Sequence, residues 1–142
     1  MAFDDDSEGQ RSMRLVHDYY AAFNRGDHET MLALLDDNVA HDINQGAREL
    51  GREAFRAFLA RMRRSYRERL EDIVVMSNAD GSRLAAEYVV HGEYLVADEG
   101  LPPAHGQRYA LPGGAFFEVR ARRIARVSNT YNLADWLRQV DD

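Results

Sequence analysis

The sequence predicts an α+β domain in which three helices precede a curved, mainly antiparallel sheet. Two observations carry that expectation. Apolar residues recur at three- and four-residue steps as far as Tyr66, then at two-residue steps from Leu70 onward. Helices followed by successive strands place the helices on one face of a single sheet. The 142 residues suit one domain, and we take 11–142 as that domain. A domain of this size buries roughly 70% of its unfolded surface, enough to hold together without disulfides or metals.

Each element has its own signal. Residues 1–10 are acidic and polar and are expected to form a frayed, disordered leader. From Ser12 a helical stripe runs through Met13, Val16, Tyr20 and Phe23, widened by Leu15, Tyr19 and Ala22. Asn24-Arg25-Gly26-Asp27 ends it, with Gly26 suited to the left-handed position past a helix. Asp27 can cap a second helix carrying Met31, Leu34 and Leu35. Val39 to Asn44 is a short strand, and Gly46 to Gly51 a loop. A third helix spans Arg52 to Tyr66, with Phe55, Phe58, Leu59, Met62 and Tyr66 on one face. Ile73 to Met76 starts the sheet, Asn78 to Gly81 is a hairpin turn, and Arg83 to Val96 is a long strand. Gln107 to Val119 is another, bent or bulged at Pro112-Gly113-Gly114. Ile124 to Leu133 is the last strand, and Ala134 to Val140 a closing helix.

Composition narrows the function. Net charge is −6, and all 18 cationic residues are arginine. The densest basic stretch, Arg61 to Arg69, fits the solvated flank of a helix, and an acidic domain is a poor nucleic-acid binder. No apolar run approaches the ~20 residues of a membrane span, so no membrane partner is expected. The absence of cysteine excludes thiolate metal sites and a cysteine nucleophile, and suits the cytoplasm. His17, His28 and His105 lack ligand spacing, so neither a metal nor a cofactor is expected.

Long bent strands curl a sheet, and helices across its concave side leave a natural pocket. The two-residue period puts Ala40, Asp42 and Asn44 on one strand face, which we take as the inward one. It also puts Val127, Asn129 and Tyr131 on the inward face of the last strand, with Tyr88 and Tyr94 in the wall. His41 and His91 then point away, as exposed or interface residues, while Trp136 seals one end. The expected partner is a small apolar or aromatic ligand.

The run Tyr19-Tyr20-Ala21-Ala22-Phe23-Asn24-Arg25-Gly26-Asp27 resembles the first-helix signature of ketosteroid isomerase-related and SnoaL-like polyketide cyclase proteins. The likeness continues through Met31 to Val39, His41-Asp42, Gly51 to Phe55, Ile124 to Val127 and Tyr131-Asn132-Leu133, and covers about residues 12–139. It implies the cone-shaped barrel of nuclear transport factor two, with a mixed, mainly antiparallel sheet.

The resemblance also implies chemistry. A carboxylate base moves a proton beside a carbonyl while donors stabilise the enolate; the isomerase is itself a standard worked case of this. The enolate donor falls on Tyr19 and the base on Asp42, although an ungapped alignment puts Ile43 there. The second donor position holds Ala115, which cannot donate a hydrogen bond. A relative on the same fold, limonene-epoxide hydrolase, uses an Asp-Arg-Asp set; the matching positions are Tyr88, Val90 and Asn129, so that reaction is not expected. Two functions stay open: an isomerase- or cyclase-like enzyme with Asp42 and Tyr19 as catalytic residues and Asn44, Tyr88, Asn129, Tyr131 and Trp136 against substrate, or a non-catalytic ligand-binding or dimerisation module. The fold implies a homodimer through the outer face of the sheet, where Val89 and Leu95 offer apolar surface.

Overall fold

The computed structural model describes residues 7–141. Helix α1 (Glu8–Asn24) begins earlier than its apolar stripe suggests, because the Ser7 side chain accepts from Gln10 N at 3.2 Å. Residues 8–10 therefore belong to a helix capped by Ser7 and not to a leader, and residues 1–6 of that expected leader lie outside the described residues. Asn24 fastens the other end by accepting from Leu70 N (2.9 Å) and donating to Leu70 O (3.0 Å). Asp27 caps α2 (His28–Ala33), accepting from Thr30 N at 3.1 Å.

Strand β1 (Leu35–Asp42) takes in Asp36-Asp37-Asn38, which the composition alone reads as a break. The expected loop after it contains a short strand, β2 (Arg48–Leu50). Helix α3 (Arg52–Ser65) is followed without a gap by β3 (Tyr66–Ser77). Arg67 and Arg69 thus lie on a strand and not on a helix flank. The rest is β4 (Arg83–Tyr94), β5 (Gln107–Arg120), β6 (Arg123–Tyr131) and α4 (Leu133–Val140).

The strands form one open sheet in the order β2-β1-β6-β5-β4-β3, parallel only between β1 and β6. The cone is therefore not a closed barrel. Helices α1 to α3 cover its concave side. Val16, Ala22, Leu35, Val39, Phe117, Ile124 and Val127 are fully buried between the layers. A smaller cluster around Tyr94, Tyr109, Trp136 and Val140 plugs one end.

The curvature comes from other places than expected. The pairing of β4 with β5 runs through Pro112, Gly113 and Gly114 without a register shift. The shifts fall between Leu35 and Ala40 on β1, between Glu71 and Val74 on β3, where Asp72 takes φ 54°, and between Glu118 and Val119 on β5. An extra residue in one strand increases its local twist, so these positions bend the sheet.

Candidate functional site

Between the helices and the concave face lies a cavity of about 280 Å³. Its floor is aromatic because two glycines allow it. A Cβ on Gly92 would stand 2.3–2.5 Å from the Tyr109 ring, and one on Gly113 would stand 2.7 Å from Cε1 of Tyr88. Both rings therefore pack directly against the backbone of the neighbouring strand. Tyr19 and Tyr20 of α1 come down from above, edge-on to Phe117 at 6.0 and 5.9 Å. Trp136 of α4 closes one end against Tyr94 (5.0 Å) and Tyr109 (5.9 Å).

Among the described residues the one carboxylate on the strands of this wall is Glu68, which the sequence pattern does not single out. β3 begins at Tyr66, so Tyr66, Glu68 and Leu70 share the inward face. Glu68 is paired with Gly92, and Gly92 with Tyr109, in one row across three strands. The missing side chain at Gly92 lets the Tyr109 hydroxyl cross that row and donate to the Glu68 carboxylate. Burial raises the Glu68 pKa, and the Tyr109 hydrogen bond opposes the rise. Burial and the nearby Glu68 charge push Tyr88 up to about 12, so its phenol stays a neutral donor. Asp98, on the loop after β4, accepts from the Tyr66 hydroxyl at 2.9 Å at the rim.

Tyr19, Asn44, Tyr88, Asn129, Tyr131 and Trp136 all line the cavity. Tyr19 is buried, and desolvation raises its phenol far above the usual range. Asn44 is held at the mouth, donating to Tyr131 O at 3.0 Å.

Asp42 does not line it. Val39, fully buried, sets the inward parity of β1, so His41 points in and Asp42 points out. On the convex face Arg48 clamps Asp42 from Nε (2.6 Å) and Nη2 (3.0 Å), and Ser128 donates to it as well. The hydrogen bond from Arg48 is the main reason its pKa falls to about 2. The expectation of an inward Asp42 and an outward His41 is thus reversed for both residues. His41 sits between Phe55 and Phe58, each 4.5 Å away, with Nε2 3.1 Å from Asn129 Nδ2. Burial lowers its pKa to about 4, which leaves a neutral imidazole. His91 does lie on the outer face, 3.0 Å from Glu71.

An open cone of sheet, roofed by helices around an aromatic cavity with an inward-facing strand carboxylate, defines a small-molecule pocket protein. The family model described as SnoaL-like domain matches residues 16–127, and the chain belongs to that family. A candidate polyketide cyclase from Pseudomonas putida is 61% identical, with a TM-score of 0.90 over 91% of this chain and 97% of that one. One from Xanthomonas campestris pv. campestris is also 61% identical, with a TM-score of 0.93 over 95% and 100%. A limonene-epoxide-hydrolase-like enzyme of M. tuberculosis shares the fold at 18% identity and a TM-score of 0.75, over 94% and 86%. No curated protein matches the chain. Among the described residues no helix is long and apolar enough to cross a membrane.

Proposed function

We propose that the chain is a cyclase-like or isomerase-like enzyme in which Glu68, and not Asp42, is the carboxylate base. The supporting observation is the placement of Glu68: an acid in an aromatic cavity, bonded to Tyr109 and raised by burial. A carboxylate moved toward neutral pH is a stronger base for a carbon acid. In the proposed step Glu68 takes the proton beside a substrate carbonyl. The electron pair of the broken C–H bond moves into the enolate. In an isomerisation the resulting carboxylic acid returns the proton at the new carbon; in a cyclisation the enolate carbon attacks a second carbonyl of the substrate, whose π pair moves to its oxygen, and the carboxylic acid protonates that alkoxide. Tyr19 and Tyr88 are neutral phenols suited to donate to the enolate oxygen, a role that Ala115 cannot fill. Asn44, Asn129, Tyr131 and Trp136 would contact the rest of the substrate. The relatives described as polyketide cyclases agree with a carbon acid as substrate.

The test needs no natural substrate. Deuterium wash-in at the α-carbon of 2-tetralone, followed by NMR, reports the proton transfer itself. The native protein should accelerate it over buffer, and Glu68→Gln should lose at least about a hundredfold of that acceleration. An unchanged rate in the variant would remove Glu68 from the role.

We also propose a homodimer through the convex face, in a cytoplasmic setting. Phe116, Met76 and Val74 are each about half exposed there, and Met76, Ala85, Phe116 and Ser128 form one lateral row. Light scattering should give twice the chain mass at micromolar concentration, and Phe116→Glu should halve it. A monomeric native protein would refute the dimer.

A further inference from the structure

We infer that this cavity takes a planar compound of one or two fused rings that carries a hydroxyl or enol and no carboxylate. The inference deepens the proposed function, on which it rests only for the pairing of the ligand hydroxyl with Glu68.

Size comes first. An engineered apolar cavity of ~150 Å³ holds one benzene. The cavity here, at about 280 Å³, is roughly twice that. It therefore has room for two fused rings, whereas a four-ring skeleton would have to displace wall residues or stand out of the mouth.

Shape follows from the floor. Tyr88 lies against Gly113 and Tyr109 against Gly92, each ring closer than a Cβ could tolerate. Both rings line the cavity, and each leaves its T-shaped contact, Tyr88 with Tyr20 at 5.4 Å and Tyr109 with Trp136 at 5.9 Å, at one side of the floor. A flat ligand can stack on both, and offset-stacked aromatic pairs gain beyond their area of contact. A saturated ring system of the same carbon count touches the same floor through its hydrogens and loses that gain.

Charge is the third constraint. The carboxylates of Glu68 and Asp98 both line the cavity, each accepting a hydrogen bond from a tyrosine. The one arginine in the lining among the described residues is Arg61, which is exposed and lies over the Phe58 ring at 5.3 Å. An anionic ligand would meet two like charges and lose its hydration. A hydroxyl meets acceptors that it can donate to.

Calorimetric titration of the full chain against five probes tests all three points. The probes are phenol, 2-naphthol, decahydro-2-naphthol, 2-naphthoate and the four-ring phenol equilenin. We expect 2-naphthol to bind tightest, phenol more weakly, and each of the other three at least tenfold more weakly than 2-naphthol. Equilenin binding as tightly as 2-naphthol would overturn the size limit. Equal binding of decahydro-2-naphthol would overturn the stacking floor, and equal binding of 2-naphthoate the charge rule. No detectable binding of 2-naphthol at millimolar concentration would overturn the inference as a whole. Tyr131→Ala removes a partly exposed side chain from the mouth and should narrow the gap between equilenin and 2-naphthol at least tenfold. Because the readout is binding, these results are independent of the wash-in assay. Glu68→Gln can abolish proton transfer while the order of affinities stands, and the order can fail while proton transfer persists.

Discussion

Asp42 on β1 and Glu68 on β3 are both strand carboxylates of one sheet, and the protein treats them in opposite ways. Asp42 faces outward, where a bidentate arginine and a serine hold it ionised, with its pKa near 2. Glu68 faces inward, where burial favours the protonated form and a tyrosine hydroxyl is its hydrogen-bond partner. The difference is one of strand parity and neighbours and not of residue type. A carboxylate satisfied by a cation is a weak base, whereas one stripped of water and left without a cation is a stronger one.

The largest expected effect is the one that would break this comparison. Glu68→Gln should reduce α-proton exchange by a hundredfold or more, as stated above. The same change should leave the melting temperature unchanged or raise it. A group whose folded pKa is raised above its unfolded value costs stability above the unfolded pKa, and the amide removes that cost. Loss of exchange together with a large drop in melting temperature would instead make Glu68 a structural residue.

A smaller effect should come from Tyr109. The Tyr109 hydrogen bond lowers the Glu68 pKa against the effect of burial. Tyr109→Phe removes it, so Glu68 should hold its proton to higher pH. The exchange rate should then fall roughly tenfold at neutral pH, in line with the ~1.5 kcal/mol lower end for a hydrogen bond to a charged group. It should recover as pH rises, with the half-maximal point of the pH–rate profile displaced upward. A uniform loss at every pH would mean that Tyr109 only shapes the cavity.

The fold was largely readable from periodicity, because the stripe of α1, the face of α3 and the alternation of β4, β5 and β6 are all set by burial. Six of the seven chosen site residues do line the cavity for the same reason. What misled lay where polar residues sit inside. In β1, the two-residue period alone fits either Asp42 or His41 facing inward, and Val39 is the better guide to parity. It puts His41 inside, where its neighbours Phe55 and Phe58 come from a distant helix that alternation within one strand does not reveal. In β3, the arginines flanking Glu68 resemble the basic flank of the preceding helix, which hid the strand start. Counting back by twos from Leu70 through Glu68 to Tyr66 would have exposed it. The partnership of Glu68 with Tyr109 depends on Gly92, and spans 41 residues of sequence, so no local pattern carries it.

The smallest effect should come from Asp42, and its smallness is the point. Asp42→Asn removes one charge from a partly exposed pair on the convex face, where side-chain exposures are 32% for Asp42 and 53% for Arg48. Exposed ion pairs are typically worth up to ~1 kcal/mol, and an asparagine can still accept from Arg48 and Ser128. Denaturant unfolding should therefore move by about 1 kcal/mol or less. The sign has a pH signature. A carboxylate with a lowered folded pKa stabilises above its unfolded pKa of ~3.9 and loses that contribution as pH falls through about 2. The native protein and the variant should accordingly converge in stability toward pH 2. Exchange by the variant at neutral pH should match the native rate within a factor of about two, against the hundredfold loss at Glu68. A hundredfold loss in Asp42→Asn with Glu68→Gln unaffected would reverse the comparison and return the base to the strand face on which the sequence first placed it.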